Sequence, residues 1–218
     1  MAFKMWNVGT ADKDAAKELA LACDADPMVA LIAMSRGIDT PEKLDEFLSD
    51  DVIMPDPFSM AGMFEAANRI RAALRNGEKI TVFGDYDCDG VTATAILYRY
   101  LRSKGAKVNF YIPAREGEGY GMSASSVEAI AQNGTKLIIT VDNGIRAARE
   151  IELASRLGVD TVVTDHHIPA EEIPDAVAVV DPHLPYCPSG LRELSGAGVA
   201  LMLISAVEDV TAEEMLEE

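Results

Sequence analysis

The chain is short of the residue types that most readily betray a protein's class. Its 218 residues include only three cysteines, three histidines and one tryptophan, and 19 lysines and arginines are set against 36 acids. Cys23, Cys88 and Cys187 are too few and too scattered for a disulfide framework or a zinc knuckle, and read as reduced, packed thiols of a cytoplasmic protein. Cys88 lies between two acids and is expected to pack inward, because a thiol is a poor ligand for a hard cation. No apolar run approaches the roughly 20 residues needed to cross a bilayer. The polar start MAFKMWNVGTADKDAAKE lacks the apolar centre of a signal peptide. A net charge of −17 argues against a general affinity for nucleic acid, which rests on cationic contacts to phosphate. Acids that hold divalent cations can still meet phosphate through them, with a basic strand-holding surface located elsewhere.

Apolar material is ample. At 49% hydrophobic residues, the chain suits one large domain, or one domain with a small appendage. Residues 11–76 read as helical, with Thr40 as an N-cap and Pro41 at the first helical position of one segment. From Lys79 the pattern changes to short β-rich runs separated by helical segments: KITVFG, AKVNFYIP, TKLIITVD, VDTVVTD and AVAVVD. A helix is expected in each connection, with only a short helical turn after VDTVVTD. The expected fold class is α/β, a five-stranded, mainly parallel sheet with helices on both faces, preceded by a small helical N-terminal segment. The helical cap is assigned to residues 1–60, the main domain to 61–208 and an acidic tail to 209–218.

Ligands of such sheets bind outside the carboxyl ends of the strands. Four of the runs end there in acids or imidazoles: Asp85-Tyr86-Asp87, Asp142-Asn143-Gly144, Asp165-His166-His167 and Asp181-Pro182-His183. Asp85 and Asp87 are two apart, so in extended backbone they point the same way with roughly 7 Å between their Cα atoms. That spacing suits one carboxylate on each of two cations about 3.5–4 Å apart. Asp142 is placed to bridge them and a neutral His166 to add a nitrogen. An oxygen-rich set with one imidazole favours Mn²⁺ or Mg²⁺ over structural Zn²⁺. Adjacent side chains at a strand end point apart, so His166 can hold metal while His167 faces substrate. Asp89, just before Gly90, reads as a helix N-cap or as a further ligand. Asp181-Pro182 reads as a turn and His183 as a surface residue. The D-x-D-x-D-G run also opens a calcium-binding EF-hand loop, but Ile96 stands where that loop needs glutamate.

In this order, VFGDYDCDGVTATAILYRYL, YIPAREGEGYGMS, IITVDNGI, VVTDHHIPAEEIPDAVAVVDP and LSGAGVALML resemble the DHH phosphoesterase superfamily, and within it the RecJ-type exonucleases. The resemblance extends back to SRGIDTPEKLDEFL and PDPFSMAGM and forward to about residue 208. It implies Asp85, Asp87, Asp142 and His166 as metal ligands and His167 facing the scissile phosphate. Arg115 is implied as a phosphate contact, for which a guanidinium is well shaped. The implied activity is two-metal hydrolysis of single-stranded DNA from its 5′ end, in repair and recombination. Asp142 and His167 carry the chemistry, and a single-strand-binding protein or a helicase are the implied partners. A further aspartate and a DHH-associated domain, which such enzymes carry after the GAGVA helix, have no counterpart in the sequence. Asp209 is expected in that same helix as a solvated acid. Weak metal binding and little turnover are accordingly expected of these 218 residues, as part of a longer protein or as a natural short form. Two rivals are a DHH hydrolase of short oligoribonucleotides or cyclic dinucleotides, and a non-catalytic replication scaffold. The scaffold is disfavoured, because all five acids and histidines of the implied site are in place.

Overall fold

A computed structural model of the chain describes residues 12–49, 55–114 and 121–217. It divides into two compact units, Met1–Ile53 and Met54–Glu218. In the first, α1 (Lys13–Ala22), α2 (Pro27–Met34) and α3 (Pro41–Leu48) each begin where a side chain satisfies the first free amides. Asp12, Asp26 and Thr40 are the caps, and prolines sit at the first helical position of α2 and α3, where no amide is needed. Leu19, Ala20, Ala30, Ala33 and Leu44 form the small core of this unit.

The second unit is built on five parallel strands: β1 (Lys79–Phe83), β2 (Lys107–Tyr111), β3 (Leu137–Val141), β4 (Asp160–Thr164) and β5 (Ala178–Val180), in the order β2-β1-β3-β4-β5. Helices α4 (Met63–Asn76), α5 (Cys88–Ser103) and α8 (Gly196–Glu208) bury Ala66, Ile70, Leu97, Leu101, Val199 and Leu203 against Ile80, Val82, Ile139 and Val162. On the opposite face α6 (Ala124–Gln132) and α7 (Ala148–Arg156) pack Val127, Ile130, Ile151 and Ala154 on Phe83, Ile138 and Val163. Alternate residues of the inner strands thus serve opposite layers, which explains why β3 is buried along its whole length, while the edge strand β2 keeps Lys107 and Phe110 exposed. The chain reverses its direction of travel across the sheet between β1 and β3, and their carboxyl ends therefore open a crevice.

Three local expectations change. The β4–β5 connection contains no helical turn. Asp209 does not continue the GAGVA helix: α8 stops at Glu208, and Asp209 caps it with a left-handed φ of 64°. A separate helix follows, α9 (Ala212–Glu217), opened by a reciprocal cap between Thr211 and Glu214, and it buries Ala212. The acidic tail is therefore partly packed. Cys88, expected to pack inward, is exposed in the first turn of α5.

Candidate metal centre

Past Phe83 the chain leaves the sheet in two steps. Asp85 turns inward and is 2% exposed, while Asp87 lies nearer the surface and becomes the N-cap of α5, accepting the Gly90 amide at 2.9 Å. Asp89 is consequently not the cap of its own helix. Gly90 has a steric duty: a Cβ there would lie 2.6 Å from Cβ of Asp85. Past Val141, Asp142 is 1% exposed and adopts a left-handed φ of 61°, a conformation that costs a non-glycine residue on the order of 1 kcal/mol. Asn143 fixes this turn by donating to the carbonyls of Phe83 and Val141, tying the end of β1 to the end of β3.

These segments converge. Asp85, Asp87 and Asp142 each offer an oxygen, and all three atoms lie within 4.8 Å of one another. Asp142, His166 and His167 form a second such group. Nε2 of His166 sits 3.0 Å from Oδ1 of Asp142. The histidine rings do not point apart as strand alternation suggested. β4 has already ended at Thr164, and the two rings stand 4.7 Å apart at 57°.

Asp165, left without a role by the sequence reading, organises this turn. Its carboxylate accepts Nδ1 of His167 at 2.7 Å and the amides of Ile145, His166 and His167. Burial opposes its charge, but the His167 hydrogen bond and the amides outweigh it and hold the carboxyl below the usual range. The same hydrogen bond raises His167, against the effect of burial. The signal was in plain view, since Asp165 is the first letter of the Asp-His-His run. Arg115 lies outside the described residues. Asp181 is fully buried, and its Oδ1 accepts the His183 amide at 2.7 Å to make the expected turn. His183 is not a surface residue: its side chain is 26% exposed and its Nδ1 is buried without a hydrogen-bond partner.

Electrostatically the cluster is short of positive charge. Burial pushes Asp85 upward, and burial together with the charges of Asp89 and Asp87 pushes Asp142 up to about 7. Oδ1 of Asp85 is buried with no hydrogen-bond partner. A buried carboxylate oxygen without a donor, among like charges, fits a hard divalent cation in both geometry and sign. Three carboxylates and an imidazole form a donor set of the Mn²⁺ or Mg²⁺ type.

The model of the DHH family N-terminal domain matches residues 79–218. The chain belongs to the DHH family. Among curated relatives, this DHH chain is 43% identical over 219 residues to the single-stranded-DNA-specific exonuclease RecJ of Bacillus subtilis, covering all of this chain and 28% of that protein. A crystal structure of exonuclease RecJ bound to manganese superposes with a TM-score of 0.65 at 40% identity, over 73% of this chain and 39% of that one. RecJ of Thermus thermophilus in complex with Mn²⁺ gives 0.67 at 34% identity, over 90% and 27%. The DHH chain thus spans about a third or less of the length of the curated RecJ relatives it matches.

Proposed function

We propose that this DHH chain carries the catalytic rim of a Mn²⁺- or Mg²⁺-dependent exonuclease that removes nucleotides from the 5′ end of single-stranded DNA in repair and recombination. The observation that carries the proposal is the convergence of Asp85, Asp87 and Asp142 within 4.8 Å around a buried carboxylate oxygen that has no donor. Asp85, Asp87, Asp142 and His166 would hold the ions; Asp142 belongs to both groups of candidate ligand atoms. When bound, the paired cations supply an activated water and offset charge developing on phosphorus. His167, held through Nδ1 by Asp165 and kept proton-rich by it, donates to a phosphate oxygen as negative charge builds there. Arg115 contacts a neighbouring phosphate. A cavity of about 250 Å³ lies beside His167, bounded by Met122, Ile145, Arg146 and Glu150. The cytoplasm is the proposed compartment, with a single-strand-binding protein or a helicase as the partner that presents the strand. Among the described residues no helix is long and apolar enough to cross a membrane.

The test is Mn²⁺-dependent release of mononucleotides from 5′-phosphorylated single strands by the full-length protein, with Asp142→Ala as control. No release, or equal release by the variant, would sink the proposal. Dinucleotides that outcompete long strands would replace it with the short-oligonucleotide hydrolase.

A further inference from the structure

Asp89 is the acid of the DYDCDG run that the proposed metal rim does not use. It sits in the first turn of α5, yet both its oxygens are engaged far along the chain. Oδ2 accepts the Gly196 amide at 2.7 Å and Oδ1 the Ala197 amide at 2.9 Å, the first two amides of α8. The next amide, of Gly198, goes to the Ser195 hydroxyl, so the opening turn of α8 is fully capped. Gly196 in turn packs directly on the bridging acid: a Cβ there would lie 2.6 Å from Cβ of Asp142 and 2.9 Å from its Oδ1. On its other side Oδ2 of Asp89 is 3.4 Å from Nε2 of His166, the same nitrogen that meets Asp142.

We infer that Asp89 is a positioning residue that clamps the start of α8 onto Asp142 and His166, and that it is not itself a metal ligand. An ionised acid bonded to two amides at a helix start already has its charge stabilised. Asp89 also belongs to neither group of candidate ligand atoms that gather within 4.8 Å among the described residues. While the clamp is closed, the backbone at Gly196 is a wall behind Asp142, and the reach of Asp142 toward Asp85 and Asp87 is fixed. The inference rests on the proposed metal rim, but the clamp itself is observable without metal.

The chain has three histidines, so side-chain ¹H–¹⁵N spectra of the metal-free protein resolve each ring. Asp89→Asn, which keeps the shape but turns one acceptor into a donor facing an amide, is expected to move the His166 resonances and leave those of His183 in place. Calorimetric titration with Mn²⁺ is expected to give an unchanged number of ions bound about 10–100-fold more weakly, the size of effect seen when an outer partner of a ligand is lost. Gly196→Ala leaves Asp89 intact and is expected to weaken Mn²⁺ in the same way, which covers the case in which Asp89→Asn fails to fold. Loss of one ion in Asp89→Asn would make Asp89 a ligand and overturn the inference. So would an unchanged His166 spectrum with unchanged affinity. A wild-type chain that binds no Mn²⁺, but in which the Asp142 amide resonance moves together with those of Gly196 and Ala197 in Asp89→Asn, upholds the clamp and removes the metal reading.

Discussion

The two ends of the sheet are made from the same strands and treat charge in opposite ways. At the amino end Arg69 bridges Glu78 at 2.6 Å and Asp160 at 2.7 Å, and Lys79 donates to the Asn133 carbonyl at 2.8 Å. Just inside, the Thr81 hydroxyl is bonded to Asn109 and Thr135 at 2.7 and 2.8 Å. At the carboxyl end Asp85, Asp142 and Asp181 are each buried within reach of another acid's charge, and oxygens of Asp85 and Asp181 have no partner. One end is electrostatically closed and the other is held open by the backbone around it. Ion pairs and hydrogen bonds satisfy the charges of the first, while the second keeps an arrangement that is unfavourable until a cation arrives.

The comparison can be broken most severely at Asp142. In the full-length protein Asp142→Asn is expected to reduce nucleotide release by more than about 100-fold, beyond the loss of an outer partner. Without metal at pH 8 it is expected to melt at a higher temperature than wild type, since a crowded buried charge is gone and asparagine tolerates left-handed backbone. Arg69→Ala should do the reverse, lowering stability in urea by about 1–2 kcal/mol with the Mn²⁺ stoichiometry and affinity unchanged. The discount reflects the half-exposed Asp160 arm of the network.

The pH dependence of the metal-free protein sharpens the same contrast. Asp142, raised to about 7, and Asp181, raised by burial to about 6, both bind protons more tightly folded than unfolded. Stability from such groups is present at low pH and lost as pH rises from about 4 through 7. His167 acts in the same sense above its ordinary value near 6.5, while Asp165, held low, matters only in stronger acid. The melting temperature without metal is therefore expected to fall between about pH 5 and pH 8, and saturating Mn²⁺ should flatten or invert the slope. A rise with pH in the absence of metal would contradict the account of the rim. The smallest effect is expected at Glu152, whose pair with Arg156 is about two-thirds exposed on both sides. Glu152→Ala should change stability by less than about 0.5 kcal/mol and nothing else.

Much of this was legible in the sequence, for physical reasons. Strands buried on both faces leave uninterrupted apolar runs, and acids placed just after them have only one edge to occupy. That rule placed Asp85, Asp87, Asp142 and His166 on one edge along with Asp165, Asp181 and His183; spacing and the family resemblance singled out the four. What escaped depends on partners remote in sequence or on turns beyond the strands. The engagement of Asp89 with α8 spans 107 residues and leaves no local trace. The histidine rings escaped because alternation lapses once β4 ends. Asp209 escaped because nothing local in AVEDV shows that the helix stops there.

The close approaches of Gly90 to Asp85 and of Gly196 to Asp142 have a consequence for how such a site can vary. Each glycine is required by the shape of an acid it does not bond to. A library randomised at these two positions and screened only for folding without metal would therefore already be depleted of larger residues, before any selection for activity. The letters that make the motif recognisable are fixed twice, once by chemistry at the carboxylates and once by the space behind them.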